Sequence, residues 1–164
     1  MGTEIERKYL VKESIWRSQK ELLQSKNPDL GARYCQGYIP TSNGTTVRLR
    51  IVGKQGYITI KSKVVGHTRA EFEYPIPASD AQEMLENLCI KPLIDKYRYK
   101  IEIDNLTWEV DEFLGENKGL IIAEVELENE AQQVDLPDWI EREVSDKKYF
   151  NSYLVSHPYS QWEK

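Results

Sequence analysis

The sequence predicts an α+β fold: a closed eight-stranded antiparallel β-barrel, a tunnel with a charged lumen, with helices packed outside. Three observations predict it. Apolar and charged residues alternate with period two in segment after segment. The segments are joined by short turns rich in glycine and asparagine, of the kind that connect hairpins. The polar face of nearly every segment carries full charges, where a face that only met water would mix Thr, Ser, Gln and Lys.

The elements follow in order. In EIERKYLV, Glu4, Glu6 and Lys8 share one face of a strand, opposite Ile5, Tyr9 and Val11, because successive side chains of an extended chain point to opposite sides. VKESIWRSQKELLQS spaces Ile15, Leu22 and Leu23 near helical period behind a Ser14 cap, which predicts a first helix of about three turns. RYCQGYIP, TTVRLRIVG, GYITIKSKVV and TRAEFEYPI return to period two, and TSNG, KQG and GH separate them as hairpin turns of an antiparallel meander. PASDAQEMLENL opens on Pro77 with Ser79 or Asp80 as cap, and Met84, Leu85 and Leu88 mark a second helix. IDKYRYKIEID, LTWEVDEFL and LIIAEVELE are three more strands, the first two joined at Asp104-Asn105. The tail, PDWIEREVSDKKYFNSYLVSHP, reads as helical in pieces, starting at Pro137-Asp138 and again at Ser145 or Asp146. Glycines and prolines fall singly and no linker intervenes, so residues 1–164 are expected to form one domain.

Strand by strand, the charged face comprises Glu4, Glu6 and Lys8; Arg48 and Arg50; Lys61 and Lys63; Arg69, Glu71 and Glu73; Lys96 and Arg98; Glu109 and Asp111; Glu124 and Glu126. Arg48 and Arg50 fall beside Lys61 and Lys63, a crowding of like charge that is unfavourable unless anions sit among the cations. An eight-stranded barrel is just wide enough for side chains and one small ligand. With the charged face inward, carboxylate pairs suit hard divalent cations and Arg/Lys rows suit phosphate oxygens, so the lining asks for metal plus polyanion. The alternative is an open sheet whose charged face meets water.

Composition narrows the classes. Lys plus Arg number 22 against 27 Asp plus Glu, a net charge of −5, so a broad nucleic-acid surface is not expected. No apolar run approaches the roughly 20 residues that cross a bilayer, so no membrane partner is expected. Cys35 and Cys89 match no metal spacing and read as reduced thiols of a cytoplasmic protein. His67, in a turn, and His157, near the end of the chain, form no Ser-His or Cys-His pair and read as solvent-facing. Trp16, Trp108 and Trp139 are the expected core between helices and barrel exterior. Few helices are available to cover that exterior, which leaves apolar surface for a homodimer. Tyr38 either lines the tunnel near a rim or packs ordinarily; Tyr149 either closes the tunnel from the tail or anchors a helix.

With EIERKYLV followed by RLR, TIKSK, EFEYPI, DKYRY, WEVDEF and AEVELE, the chain resembles the CYTH superfamily of triphosphate tunnel metalloenzymes. Glu-x-Glu-x-Lys alone is a weak signal; the ordered series across the chain is a strong one. The ending EREVSDKKYFNSYL resembles that of the short bacterial members, many of them inorganic triphosphatases. The resemblance implies an eight-stranded tunnel in which Glu4, Glu6, Glu124 and Glu126 hold a catalytic Mg²⁺ or Mn²⁺. It implies that Lys8, Arg48, Arg50, Lys61, Lys63, Arg69, Lys96 and Arg98 bind triphosphate. Glu71, Glu73, Glu109 and Asp111 are then placed to serve a second metal or the attacking water, with Asp111 and Lys8 joining the metal acids as the catalytic set. The implied reaction is hydrolysis of inorganic triphosphate to diphosphate and orthophosphate. Alternatives on the same scaffold are a class IV adenylyl cyclase and a thiamine or nucleoside triphosphatase; a noncatalytic polyphosphate-binding module is the third class. Carboxylates in the lining weigh against the last, since a pure anion receptor gains nothing from them without a cation.

Overall fold

The computed structural model describes residues 5–63, 65 and 69–163. Glu4, His67 and the Gly66-His67 turn lie outside the described residues. Among the described residues nine strands form one antiparallel sheet: β1 (Ile5–Val11), β2 (Ala32–Ile39), β3 (Thr46–Val52), β4 (Gln55–Lys61), β5 (Glu71–Ile76), β6 (Ile94–Ile103), β7 (Leu106–Phe113), β8 (Ile121–Leu127) and β9 (Ile140–Val144). Their order is β5-β4-β3-β2-β6-β7-β8-β1-β9. Helices α1 (Glu13–Lys26), α2 (Ala78–Asn87) and α3 (Asn151–Ser156) complete the fold. Asp104 and Asn105 turn β6 into β7 with φ of 52° and 64°, the left-handed pair that a two-residue hairpin requires.

Two expectations are corrected. The sheet has nine strands, and among the described residues its ladder is open, with β5 and β9 at its edges. The ninth strand is β9, which lies along β1 on the side away from β8, pairing Lys8 with Val144 and Tyr9 with Glu143. That segment, IEREV, was expected to be helical. Its two buried residues, Ile140 and Val144, are four apart, a spacing that suits a helix or a strand equally, and the bare edge of β1 decides in favour of the strand. The predicted side-chain caps differ too. Lys12 and Pro77 occupy the N-cap positions of α1 and α2 without a side-chain hydrogen bond, whereas Asp146 does accept from the Lys148 amide, at 3.2 Å.

Three apolar clusters hold the sheet. Tyr9, Trp16, Tyr99, Trp108, Val125 and Trp139 pack between α1 and the outer face of β1, β6, β7 and β8. Trp108 meets Trp139 edge-on at 5.7 Å and Tyr9 at 5.5 Å. On the other half, α2 covers β3 and β4 through Leu49, Ile58, Met84 and Leu85. It lies so close that a Cβ on Gly56 would stand 2.8 Å from the Ala81 methyl, which is why glycine occupies that strand position. The third cluster is on the concave side: Leu10, Ile94, Phe113 and Ile122 are covered by Tyr149, Leu154 and Val155 of the tail. Phe72 and Tyr74 of β5, on the face opposite Glu71 and Glu73, are 52% and 55% exposed. Among the described residues no helix is long and apolar enough to cross a membrane.

Trp108 is fully buried at the centre of the aromatic cluster. Trp108→Ala is therefore expected to cost about 3–5 kcal/mol of unfolding free energy. Urea denaturation followed by tyrosine and tryptophan fluorescence measures it; a loss below about 1 kcal/mol would show that the cluster does not hold the sheet.

Candidate active site

The concave face encloses a polar cavity of about 280 Å³. Every strand from β1 to β8 contributes to its lining, and α3 adds Asn151. Although the ladder is open, the sheet therefore curls until β1 and β8 on one side face β4 and β5 on the other. Around the cavity the charges are sorted by strand. Glu71 and Glu73 stand on β5, Lys61 on β4, Arg48 and Arg50 on β3, Lys96 and Arg98 on β6, Glu109 on β7, Glu124 on β8, and Glu6 and Lys8 on β1. Between the cationic strands β3 and β6 lies β2, which presents only the uncharged Ala32, Tyr34, Gln36 and Tyr38 to this side. Arg48 stands opposite Thr59 and Arg50 opposite Tyr57, so the cations of β3 and β4 are not in direct cross-strand pairs.

Asp111 organises one group of cations. Lys96 Nζ donates to its Oδ2 at 2.8 Å, and Arg98 reaches both of its oxygens, Nε at 2.7 Å and Nη2 at 2.9 Å. Burial alone would raise the Asp111 pKa, but Lys96 and Arg98 together outweigh it and hold the carboxyl well below the usual range. Lys96 is fully buried, and burial pushes its ammonium down to about 8 against the support of Asp111. It also donates to Asn151 Oδ1 at 3.1 Å. Arg98 is raised, since its bonds to Asp111 overcome the cost of burial. Arg50 has no carboxylate partner among the described residues; burial first, then Arg48 and Arg98, lower its guanidinium to about 10. Its Nε donates to Gln36 Oε1 at 2.8 Å. Arg48 donates to Thr59 Oγ1 at 3.2 Å and lies 3.5 Å from Glu73, while its buried Nε finds no acceptor among the described residues.

On the acidic side Lys8 Nζ donates to Glu124 Oε1 at 2.7 Å, and the lysine keeps Glu124 ionised in spite of burial. Glu6 stands directly opposite Glu126 across β1 and β8, and Glu109 opposite Glu124 across β7 and β8. Among the described residues no three His, Cys, Asp or Glu side chains converge as a metal-ligand set. The donor chemistry still fits a hard cation: several carboxylate oxygens share one wall of the cavity.

The cavity thus brings together most of the charged set, but four residues lie elsewhere. Lys63 is exposed beyond the end of β4, its side chain against Gly44. Arg69 lines a smaller side pocket of about 110 Å³ with Lys61, Arg48 and Tyr38, and donates to the Ser62 carbonyl at 2.9 Å. Asp111 sits behind Lys96 and Arg98, at 1% exposure. Glu126 borders a separate hollow of about 590 Å³ at the β6–β7 hairpin, whose charged lining (Asp104, Glu126, Glu128, Asp135) is wholly acidic and so cannot be the polyanion site. Tyr38 does line the cavity, Tyr149 is buried in the tail cluster, and His157 is exposed, stacked on Tyr153. Gln36, Tyr34 and Asn151 were not singled out from the sequence. The first two share the inward parity of Tyr38 and were findable by it; Asn151 carries no signal of period or charge.

The comparisons with known proteins agree with this geometry. A family model described as the CYTH domain matches residues 2–153. This chain belongs to the CYTH family. An inorganic triphosphatase of Acetivibrio thermocellus is 46% identical over 165 residues, 100% of each chain. The crystal structure of the inorganic triphosphatase NE1496 superposes with a TM-score of 0.66 at 29% identity, covering 94% of this chain and 95% of that one. The PH1012 protein of Pyrococcus horikoshii OT3, at 18% identity, TM-score 0.54 and coverage of 77% and 79%, shares the fold.

Asp111→Asn leaves the buried Lys96 without its anion and Arg98 with Glu109 alone, so the ligand-free protein is expected to lose about 3–5 kcal/mol of stability. Thermal and urea melting of the variant test this; an unchanged midpoint would show that the cations need no internal counter-charge.

Proposed function

We propose that this CYTH protein hydrolyses inorganic triphosphate to diphosphate and orthophosphate, with Mg²⁺ or Mn²⁺, inside the curled sheet acting as a tunnel around its substrate. One observation carries the proposal: Arg48, Arg50, Lys61, Lys96 and Arg98 arc around a single 280 Å³ cavity whose opposite wall is carboxylate. The whole-length similarity to inorganic triphosphatases supports it.

The roles follow from position. Arg50, whose Nη donors are not taken by a carboxylate among the described residues, presents a forked donor to phosphate oxygens, and Lys8, Arg48, Lys61, Lys96 and Arg98 neutralise the remaining charge. The orphaned Arg48 Nε is a donor awaiting an anionic acceptor. Glu6 and Glu124, which line the cavity, would hold the divalent cation together with Glu4, and Glu126, opposite Glu6 but bordering the neighbouring hollow, would join them only by turning toward the cavity. When bound, that ion supplies charge neutralisation and acidifies water. Glu71, Glu73 and Glu109 bound the cavity, where they keep Lys61, Arg48 and Arg98 extended toward it. Asp111 fixes the spacing of Lys96 and Arg98. The array is thus organised before substrate arrives, which is what phosphoryl transfer asks of a protein: positioning and electrostatic stabilisation of a loose transition state. Water attacks the terminal phosphorus in line, with no covalent protein intermediate.

The lining is charged, amide-bearing or, at Tyr38, phenolic, and the apolar residues of the same face are taken by the tail. Such walls recognise phosphates and offer little to a base or a thiazole, which favours inorganic triphosphate over nucleotides and thiamine triphosphate. A homodimer is part of the proposal, supported by exposed Phe72 and Tyr74, as is a cytoplasmic setting, supported by free Cys35 and Cys89. With its cations turned into the concave face, the protein is expected to bind no nucleic acid.

Purified protein is expected to release orthophosphate and diphosphate from inorganic triphosphate with divalent metal, and to stop in excess chelator; undiminished turnover in chelator would sink the metal role. Glu6→Gln should lower kcat at least about 100-fold while triphosphate binding stays measurable. Arg50→Ala should weaken triphosphate binding by about 1.5–3 kcal/mol, the worth of a charge-assisted hydrogen bond. Steady-state kinetics and calorimetry of both variants check this, and unaffected kinetics in both would remove the assignment.

A further inference from the structure

Three of the cations that face the cavity gather on one aromatic ring. The Arg50 guanidinium carbon lies 5.0 Å from the centroid of Tyr34, that of Arg98 5.1 Å, and Lys96 Nζ 5.9 Å. Tyr34 is 8% exposed. It stands on β2, the strand that carries no charge on this side and separates the cationic strands β3 and β6. Its register partners are Val52 and Lys96, while Arg50 lies opposite Gln36 and Arg98 opposite Ala32. The arginines therefore converge on the ring from diagonal positions, one from each neighbouring strand, and their approach is not imposed by direct pairing.

We propose that Tyr34 is a positioning residue for triphosphate binding: its π face holds Arg50, Lys96 and Arg98 together, at the spacing a polyphosphate requires, while the cavity is empty. The inference rests on the reading of this cavity as a triphosphate site. Asp111 neutralises only part of the trio, since it bonds Lys96 and Arg98 and does not reach Arg50. Arg50 has Gln36 and the Tyr34 ring as its described partners. A second carboxylate at position 34 would balance the charge, but it would also compete with the phosphates for the same donors. The quadrupole of an aromatic face attracts cations without occupying their hydrogen-bonding directions as a carboxylate does, so it steadies the trio and leaves the Nη donors of Arg50 free. The lowered pKa of Arg50 is consistent with cations held close without full compensation.

The test compares Tyr34→Phe, which keeps the π face, with Tyr34→Leu, which keeps bulk and loses it. Affinity for inorganic triphosphate is measured by calorimetry in chelator, and KM and kcat with Mg²⁺ or Mn²⁺. Tyr34→Phe is expected within about twofold of wild type in every quantity, and Tyr34→Leu to lose about tenfold in affinity and KM with kcat changed less than about threefold. If Tyr34→Leu lowers only the melting temperature and leaves affinity intact, the ring is packing and the proposal is overturned. Equal losses in Phe and Leu overturn it as well, because the hydroxyl is then what matters. Should Tyr34→Leu not fold, Tyr34→Met, also without a π face, carries the same expectation. A wild type that binds triphosphate without hydrolysing it contradicts the triphosphatase reading alone, since the binding arm still reads Tyr34; one that does neither overturns both.

Discussion

Like-charge crowding on the concave face is the constraint around which this structure is arranged. Arg48, Arg50, Lys61, Lys96 and Arg98 share one small cavity, and each must remain charged there without a bound anion. At effective dielectric constants near 20, two unit charges 5 Å apart repel by roughly 3 kcal/mol, a large fraction of a domain's net stability. Three devices offset the repulsion. Asp111 serves two cations at once, Lys8 and Glu124 form a largely buried pair on the opposite wall, and the uncharged face of β2 separates the cationic strands. Only part of the charge is compensated, and Arg48 Nε and Arg50 are what remains.

That residual imbalance connects fold to function. The apolar clusters lie on the outer face under α1 and α2 and at one end of the concave face under the tail. Hydrophobic burial on those surfaces stabilises a sheet whose remaining concave surface is electrostatically costly. Stability is given up locally where a ligand recovers it, a common arrangement at functional sites. A triphosphate fits the shortfall because its charge is spread over many oxygens, each able to accept from a separate cation.

Much of this was legible in the sequence. Period-two alternation located β1 to β8, and the parity of each strand put Glu6, Lys8, Arg48, Arg50, Lys96, Arg98 and Glu124 on one face, because the pleat admits no other arrangement once the opposite face is apolar. What the pattern left out was set by tertiary contact. Ile140 and Val144 suit helix or strand, and only the unpaired edge of β1 selects β9. Parity also says nothing about depth along a strand: Glu126 shares a face with Glu124 yet borders another hollow, and Asp111 shares one with Glu109 yet sits behind the cations. Lys63 lies past the end of its strand, where alternation no longer governs direction. Asn151 reaches the cavity from a helix distant in sequence, a contact no local pattern encodes.

The central claim is that the concave face is an incompletely neutralised polyanion receptor, and thermal melting of the ligand-free protein in chelator tests it most directly. Inorganic triphosphate should raise the melting temperature by several degrees, well beyond the effect of orthophosphate or sulfate at matched ionic strength, because only a polyanion reaches all the cations at once. Equal shifts from all three anions, or none, would contradict the account and leave the charged face an ordinary solvated surface.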